Sequence, residues 1–106
     1  MAEMSRRRAF QLVLEGLVGE GKKVYFQPPA TVKLSYPCII YHQYRYDTDF
    51  ADNKLYLSRT AYTVTYVDSN PDATFPDTYL KTQPLTHFER SYTSDNLHHW
   101  VFTTYY

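Results

Sequence analysis

The sequence has little of several things. There is one cysteine among 106 residues, so no internal disulfide can staple the fold, and a reducing compartment is expected. Three glycines and six prolines are too few for a low-complexity linker or a collagen-like repeat. Neither charge sign dominates: eleven Lys and Arg balance eleven Asp and Glu. No global field therefore draws the chain toward nucleic acid or an anionic membrane, and a partner must be recognised through local patches. Long apolar runs are missing. Cys38 to Tyr41 is typical, far short of the ~20 residues that cross a bilayer. After Arg6, Arg7 and Arg8 the chain is broken by Gln11, Glu15 and Gly16, which argues against a signal peptide and for a cytosolic product.

Aromatic residues are abundant. Twelve tyrosines, six phenylalanines and one tryptophan make up 18% of the chain. A tyrosine packs its ring and keeps its hydroxyl wet, so it suits half-covered strands and protein interfaces. Strand filling by β propensity accounts for a good share of the twelve; in a chain this small, others must lie near the surface.

The length predicts a single domain over 1–106 with one core. Ser5 can cap a helix in which Phe10, Val13, Leu14, Leu17 and Val18 form an apolar stripe, ended by Gly19 and Gly21. The arginines fall in its first turn, where the helix dipole disfavours them. They are either solvated charge or partner contacts. Lys23 to Gln27 reads as a short strand with Val24 and Phe26 on one face and Tyr25 on the other, stopped by Pro28 and Pro29. Tyr36-Pro37 opens a second strand through Tyr44, with Ile39 and Tyr41 opposite Cys38, Ile40 and His42. Arg45 to Asn53 reads as a charged connection. Leu55 to Val67 is the longest strand, with Tyr62, Val64 and Tyr66 on one face, and it pairs with its predecessor as a hairpin with a protruding tip. Asp68 to Asp72 is a cluster of turn formers. A short helix follows, with Pro76 in its first turn and Tyr79 and Leu80 along it, stopped by Pro84. Phe88, Arg90 and Tyr92 alternate along another strand, Thr93 to Asn96 turns, and Trp100 and Phe102 alternate along the last. The order predicts an α+β fold: a mostly antiparallel sheet with the N-terminal helix and a second short helix packed on one face.

Catalytic and metal chemistry find little support. His98 and His99 are adjacent and point to opposite faces of a strand, so they cannot jointly chelate an ion, and the zinc spacings are missing. No metal and no cofactor are expected. Cys38 and His42 lie ~13 Å apart along a strand, so a nucleophilic pair would need His87 or His99 from another strand. A buried structural Cys38 is the plainer reading. Asp47, Asp49 and Asp52 lack the Gly and Glu of a calcium loop. Gly19-Glu20-Gly21-Lys22 lacks the spacing of a phosphate loop. The basic residues do not interleave with aromatics as a single-strand binder would require, so no nucleic-acid specificity is expected. What remains is a binding or assembly protein.

Several segments in order carry a resemblance. They are Val24 to Pro29, Leu34 to Tyr41, Phe50 to Tyr56, Tyr62 to Asp68, Asn70-Pro71-Asp72, His87 to Tyr92, and Leu97 to Trp100, behind an amphipathic first helix. Together they resemble the tail terminator (tail completion) proteins of long-tailed bacteriophages and prophages. The resemblance implies an α+β fold and no catalysed reaction. It implies a homo-oligomeric ring, usually of six subunits, that caps the tail tube, ends its polymerisation and offers the head-joining surface. Partners would be further copies of the chain, the tail tube protein and the head–tail connector or neck proteins. The place would be the head–tail junction of the virion, after assembly in the bacterial host cytoplasm, with no membrane involved. Carried onto this chain, the implied interface is Arg6, Arg7 and Arg8 at the helix start and Arg45, Tyr46, Asp47, Asp49, Asp52, Asn53 and Lys54 at the hairpin tip. Ala51-Asp52-Asn53 could equally serve only to shape the turn. Two other readings stay open: a head-closure or neck adaptor protein, and a small regulatory protein-binding domain.

Overall fold

The computed structural model describes residues 5–19, 23–51 and 54–106, and their side chains except those of 6 and 44–59. Helix α1 (Arg6–Val18) starts at Ser5, whose hydroxyl accepts the Arg8 N–H at 3.1 Å. That bond satisfies one of the helix's orphan donors. Phe10, Leu14 and Val18, four residues apart, are its buried stripe; Val13 and Leu17 flank it half-buried. Gly19 closes the helix at φ 91° with its N–H on the Glu15 carbonyl, a conformation that costs residues with a Cβ more than glycine.

Strands β1 (Lys23–Phe26), β2 (Cys38–Ala51), β3 (Lys54–Asp68), β4 (Thr86–Ser94) and β5 (Leu97–Tyr105) form one sheet in the order β1-β2-β3-β5-β4, with helix α2 (Phe75–Thr82) between β3 and β4. This is the expected α+β fold. Every pairing is antiparallel except β1 with β2. β1 ends at Phe26 because Gln27 takes φ 42°. The turn from β4 to β5 has Asp95 and Asn96 at φ 52° and 62°, the pair of left-handed residues that a tight hairpin needs and that Asp and Asn tolerate.

Register puts Ile39, Tyr41, Tyr62, Val64, Tyr66 and Phe102 on one face. Both helices lie there. Phe10 stacks on Tyr62 with centroids 4.7 Å apart and meets Tyr41 edge-on at 5.6 Å. Phe75 stacks on Tyr66 at 4.5 Å, and Tyr79 meets Phe102 edge-on at 5.1 Å. Tyr41, Tyr62, Tyr66 and Tyr79 are fully buried, so four of the nine tyrosines whose side chains are described are core. The price of burying a hydroxyl is met by partners: Tyr41 Oη donates to Gln11 Oε1 at 2.6 Å, Tyr66 Oη to Asp68 Oδ2 at 2.7 Å, and Tyr79 Oη pairs with Thr104 Oγ1.

Two expectations need correction. Arg45 to Asn53 is not a connection between strands: β2 continues to Ala51 and β3 resumes at Lys54. Arg45-Tyr46-Asp47-Thr48-Asp49-Phe50 alternates charged with β-prone residues, and pairing with β3 outweighs the poor strand propensity of Asp. Phe88, Arg90 and Tyr92 also do not share a face. Phe88 is opposite Phe102 and Arg90 opposite Val101, leaving Glu89 as the extra residue of a bulge. The bulge advances the register by one and turns the rest of β4 over.

Candidate assembly surfaces

The sheet has one long projection. β5 stops pairing with β3 at Tyr105–Ala61, and β1 stops pairing with β2 at Phe26–Tyr41. Beyond them, and beyond Thr60, which still exchanges main-chain hydrogen bonds with Tyr106, β2 and β3 run on with only each other among the described residues, from Asp47–Arg59 to Ala51–Lys54. Strand rise makes this arm ~20 Å long, consistent with a molecule of 51 × 29 × 25 Å. Register shifts fall between Gln43 and Arg45 and between Asp47 and Thr48; bulges of this kind increase local twist. Among the described residues each arm strand carries a ladder on one side only, so its outer N–H and C=O groups face no neighbouring described strand.

Of the interface residues expected from the sequence, Arg45, Tyr46, Asp47 and Asp49 lie on the β2 side of the arm and Lys54 begins the β3 side. Asp52 and Asn53 lie outside the described residues. Arg6 is in the first turn of α1, and Arg8 is exposed. Arg7 is not simple solvated charge. Its guanidinium donates from Nη1 to Gln11 Oε1 at 3.1 Å and Tyr41 Oη at 3.3 Å, and lies 4.8 Å from the centre of the Phe26 ring. Tyr41 precedes the arm by only a few residues, so the helix start and the arm root share one end of the molecule.

A second surface went unnoticed in the sequence. β4 is one edge of the sheet, β1 being the other, and nearly all of β4 is exposed. Leu85, just before β4, and Phe88 and Tyr92 within it are exposed at 52%, 45% and 45%, an apolar load on an edge that Glu89, Arg90 and the bulge between Phe88 and Arg90 only partly guard. Behind it, on the face away from the helices, Thr63, His87, Glu89, Arg90, Val101, Thr103 and Tyr105 line a cleft of ≈ 400 Å³. Glu89 Oε1 accepts the Thr103 hydroxyl at 2.9 Å and sits 2.8 Å from His87 Nε2. Only the folded register brings these three together, which is why spacing along the chain gave no sign of them.

Cys38 is fully buried, and burial pushes its thiol up to about 11. That is opposite to what a thiolate nucleophile requires. His42, four residues on, is exposed. Among the described residues no group of three His, Cys, Asp or Glu is placed to hold a metal ion, and no described helix is long and apolar enough to cross a membrane.

No protein-family model matches the chain, and neither the curated proteins nor the solved structures contain one that is significantly similar to it.

Proposed function

We propose that this chain is a non-enzymatic virion assembly protein of a long-tailed bacteriophage, a tail terminator whose copies form a ring on the finished tail tube and present the surface to which the head joins. The observation that carries this reading is the arm together with the open β4 edge. A closed ring needs two different patches on each subunit, each complementary to the other rather than to itself. An arm rooted at one end of the sheet and an exposed, partly apolar edge strand at its side offer two such patches. Open strand edges accept a further strand through main-chain hydrogen bonds. The ring of six, the tube protein and the neck proteins as partners, and the place at the head–tail junction come from the resemblance.

Deleting the gene and measuring tails by negative-stain electron microscopy tests the reading. Overlong, headless tails that return to normal length when purified protein is added are expected. Tails of normal length without heads would replace the terminator with a neck adaptor, and normal virions would remove the chain from assembly.

A further inference from the structure

The back-face cleft has a charge pattern of its own. The bulge at Glu89 puts His87, Glu89 and Arg90 together around one cleft, where strict alternation would have turned Arg90 away. Inside it the polar groups are unequally matched. Glu89 is engaged by His87 and Thr103. Arg90 has the face of Tyr92 at 5.8 Å and, among the described residues, no carboxylate within ion-pair distance. Val101 and Thr103, nearly buried, form the floor, and Thr63 adds a hydroxyl. A guanidinium with no carboxylate partner among the described residues, over a partly apolar floor with hydroxyls at the margin, suits a carboxylate on a short stem. Arginine is also the cation best shaped to take a carboxylate through two parallel bonds.

We infer that this cleft receives an acidic side chain from the arm of a second copy of the chain, with Asp49 seated against Arg90. The arm supplies the matching charge: residues 46–60 contain three aspartates against Lys54 and Arg59. It also stands clear of its own copy's cleft. Asp49 pairs with Tyr56, five residues beyond Ala61, so it stands ~17 Å out along strands that lead away from the sheet, and the arm's own cleft lies behind it. The contact is therefore head to tail. It deepens the ring reading, on which it rests, by naming the ionic contact between neighbours.

The test uses the full chain with Arg90→Lys, which keeps the charge and supplies an amine. Equal amounts of unlabelled and ¹⁵N-labelled protein are mixed at high concentration and treated with a carbodiimide, and the joined peptides are read by mass spectrometry. The expected result is an isopeptide bond between position 90 and Asp49 that appears in mixed-isotope pairs. It should vanish in Asp49→Asn and weaken in about 1 M salt, where the screening length falls to ~3 Å. Circular dichroism confirms that each variant is folded. Folded protein in which position 90 joins elsewhere, joins only within one copy, or does not join at all overturns the inference. The two readings fail separately: overlong tails on gene deletion without this cross-link leave the terminator standing and remove the contact, whereas the cross-link with normal tails keeps the contact and removes the terminator.

Discussion

Between Cys38 and Tyr41, strand β2 has β1 on one side, β3 on the other and α1 over its inner face. Between Tyr46 and Ala51 the same strand has β3 alone. The inner stretch is held by burial of aromatic area, each large side chain contributing roughly 1.5–3 kcal/mol. The outer stretch is a two-stranded ribbon, which by itself is marginal in water. Stability and reach are thus divided along one strand pair.

The division breaks most visibly at the core. Phe102→Ala removes a fully buried ring that touches Tyr79 and Phe88. A loss of about 3–5 kcal/mol is expected in urea unfolding. A loss below ~1 kcal/mol would mean that the helix-covered face is loosely packed and the contrast with the arm is false.

Alkaline titration sharpens the same contrast. Burial raises Cys38 from 9.0 to about 11 and Tyr79 from 10.0 to about 12, and it also raises Tyr66 strongly, aided by Asp68. All are acids kept neutral in the folded state. The unfolded chain loses these protons first, so stability is fully present below pH 9 and falls as pH rises through 11 and 12. Cys38→Ala should flatten the first part of that fall and Tyr79→Phe the later part. The Tyr79→Phe variant should also lose about 1 kcal/mol at neutral pH with its bond to Thr104. An unchanged alkaline limb in both variants would show that other groups drive it.

At the helix start the effects are smaller and opposite in sign. Arg7→Ala removes two hydrogen bonds and the contact with Phe26 and should cost about 1 kcal/mol in thermal or urea unfolding. Arg8 is exposed and sits against the helix dipole; Arg8→Glu should stabilise by roughly 0.3–1 kcal/mol. If Arg8→Glu stabilises the monomer but weakens tail capping in the add-back assay, the arginine is retained for a partner.

How much of this could be read from the chain depends on how local each signal is. The stripe of α1, the alternation of Tyr62, Val64 and Tyr66, and the proline-started α2 are local patterns, and each fell where it was expected. The Thr93 to Asn96 turn was legible because Asp and Asn accept positive φ. The bulge at Glu89 was not, since no glycine marks it and only the pairing with β5 reveals it. The acidic composition of residues 45–53 concealed a strand, because charge signals a loop while alternation, the weaker clue, signals pairing. Arg7 looked like solvated charge because its partners Tyr41 and Phe26 are distant in sequence. Of the tip residues named from the resemblance, Tyr46, Asp47, Asp49 and Lys54 lie along one projection and Arg45 at its root, while the cleft needed three strands in register before it existed.

The smallest stability effect belongs to the arm, and it is the most informative. Tyr46 and Thr60 are register partners, so residues 47–59 can be replaced by Asn-Gly, the two-residue turn that joins paired strands with the correct twist. The excision keeps Thr60, whose backbone exchanges hydrogen bonds with Tyr106 at 3.1 and 2.9 Å. The unfolding free energy should change by no more than about 0.5 kcal/mol, as for surface changes away from packed features. Tail capping in the add-back assay should be lost altogether. A large drop in stability would show that the ribbon is bound into the core after all; unchanged stability with intact capping would show that the ring closes without it, and would leave the β4 edge as the surface to pursue.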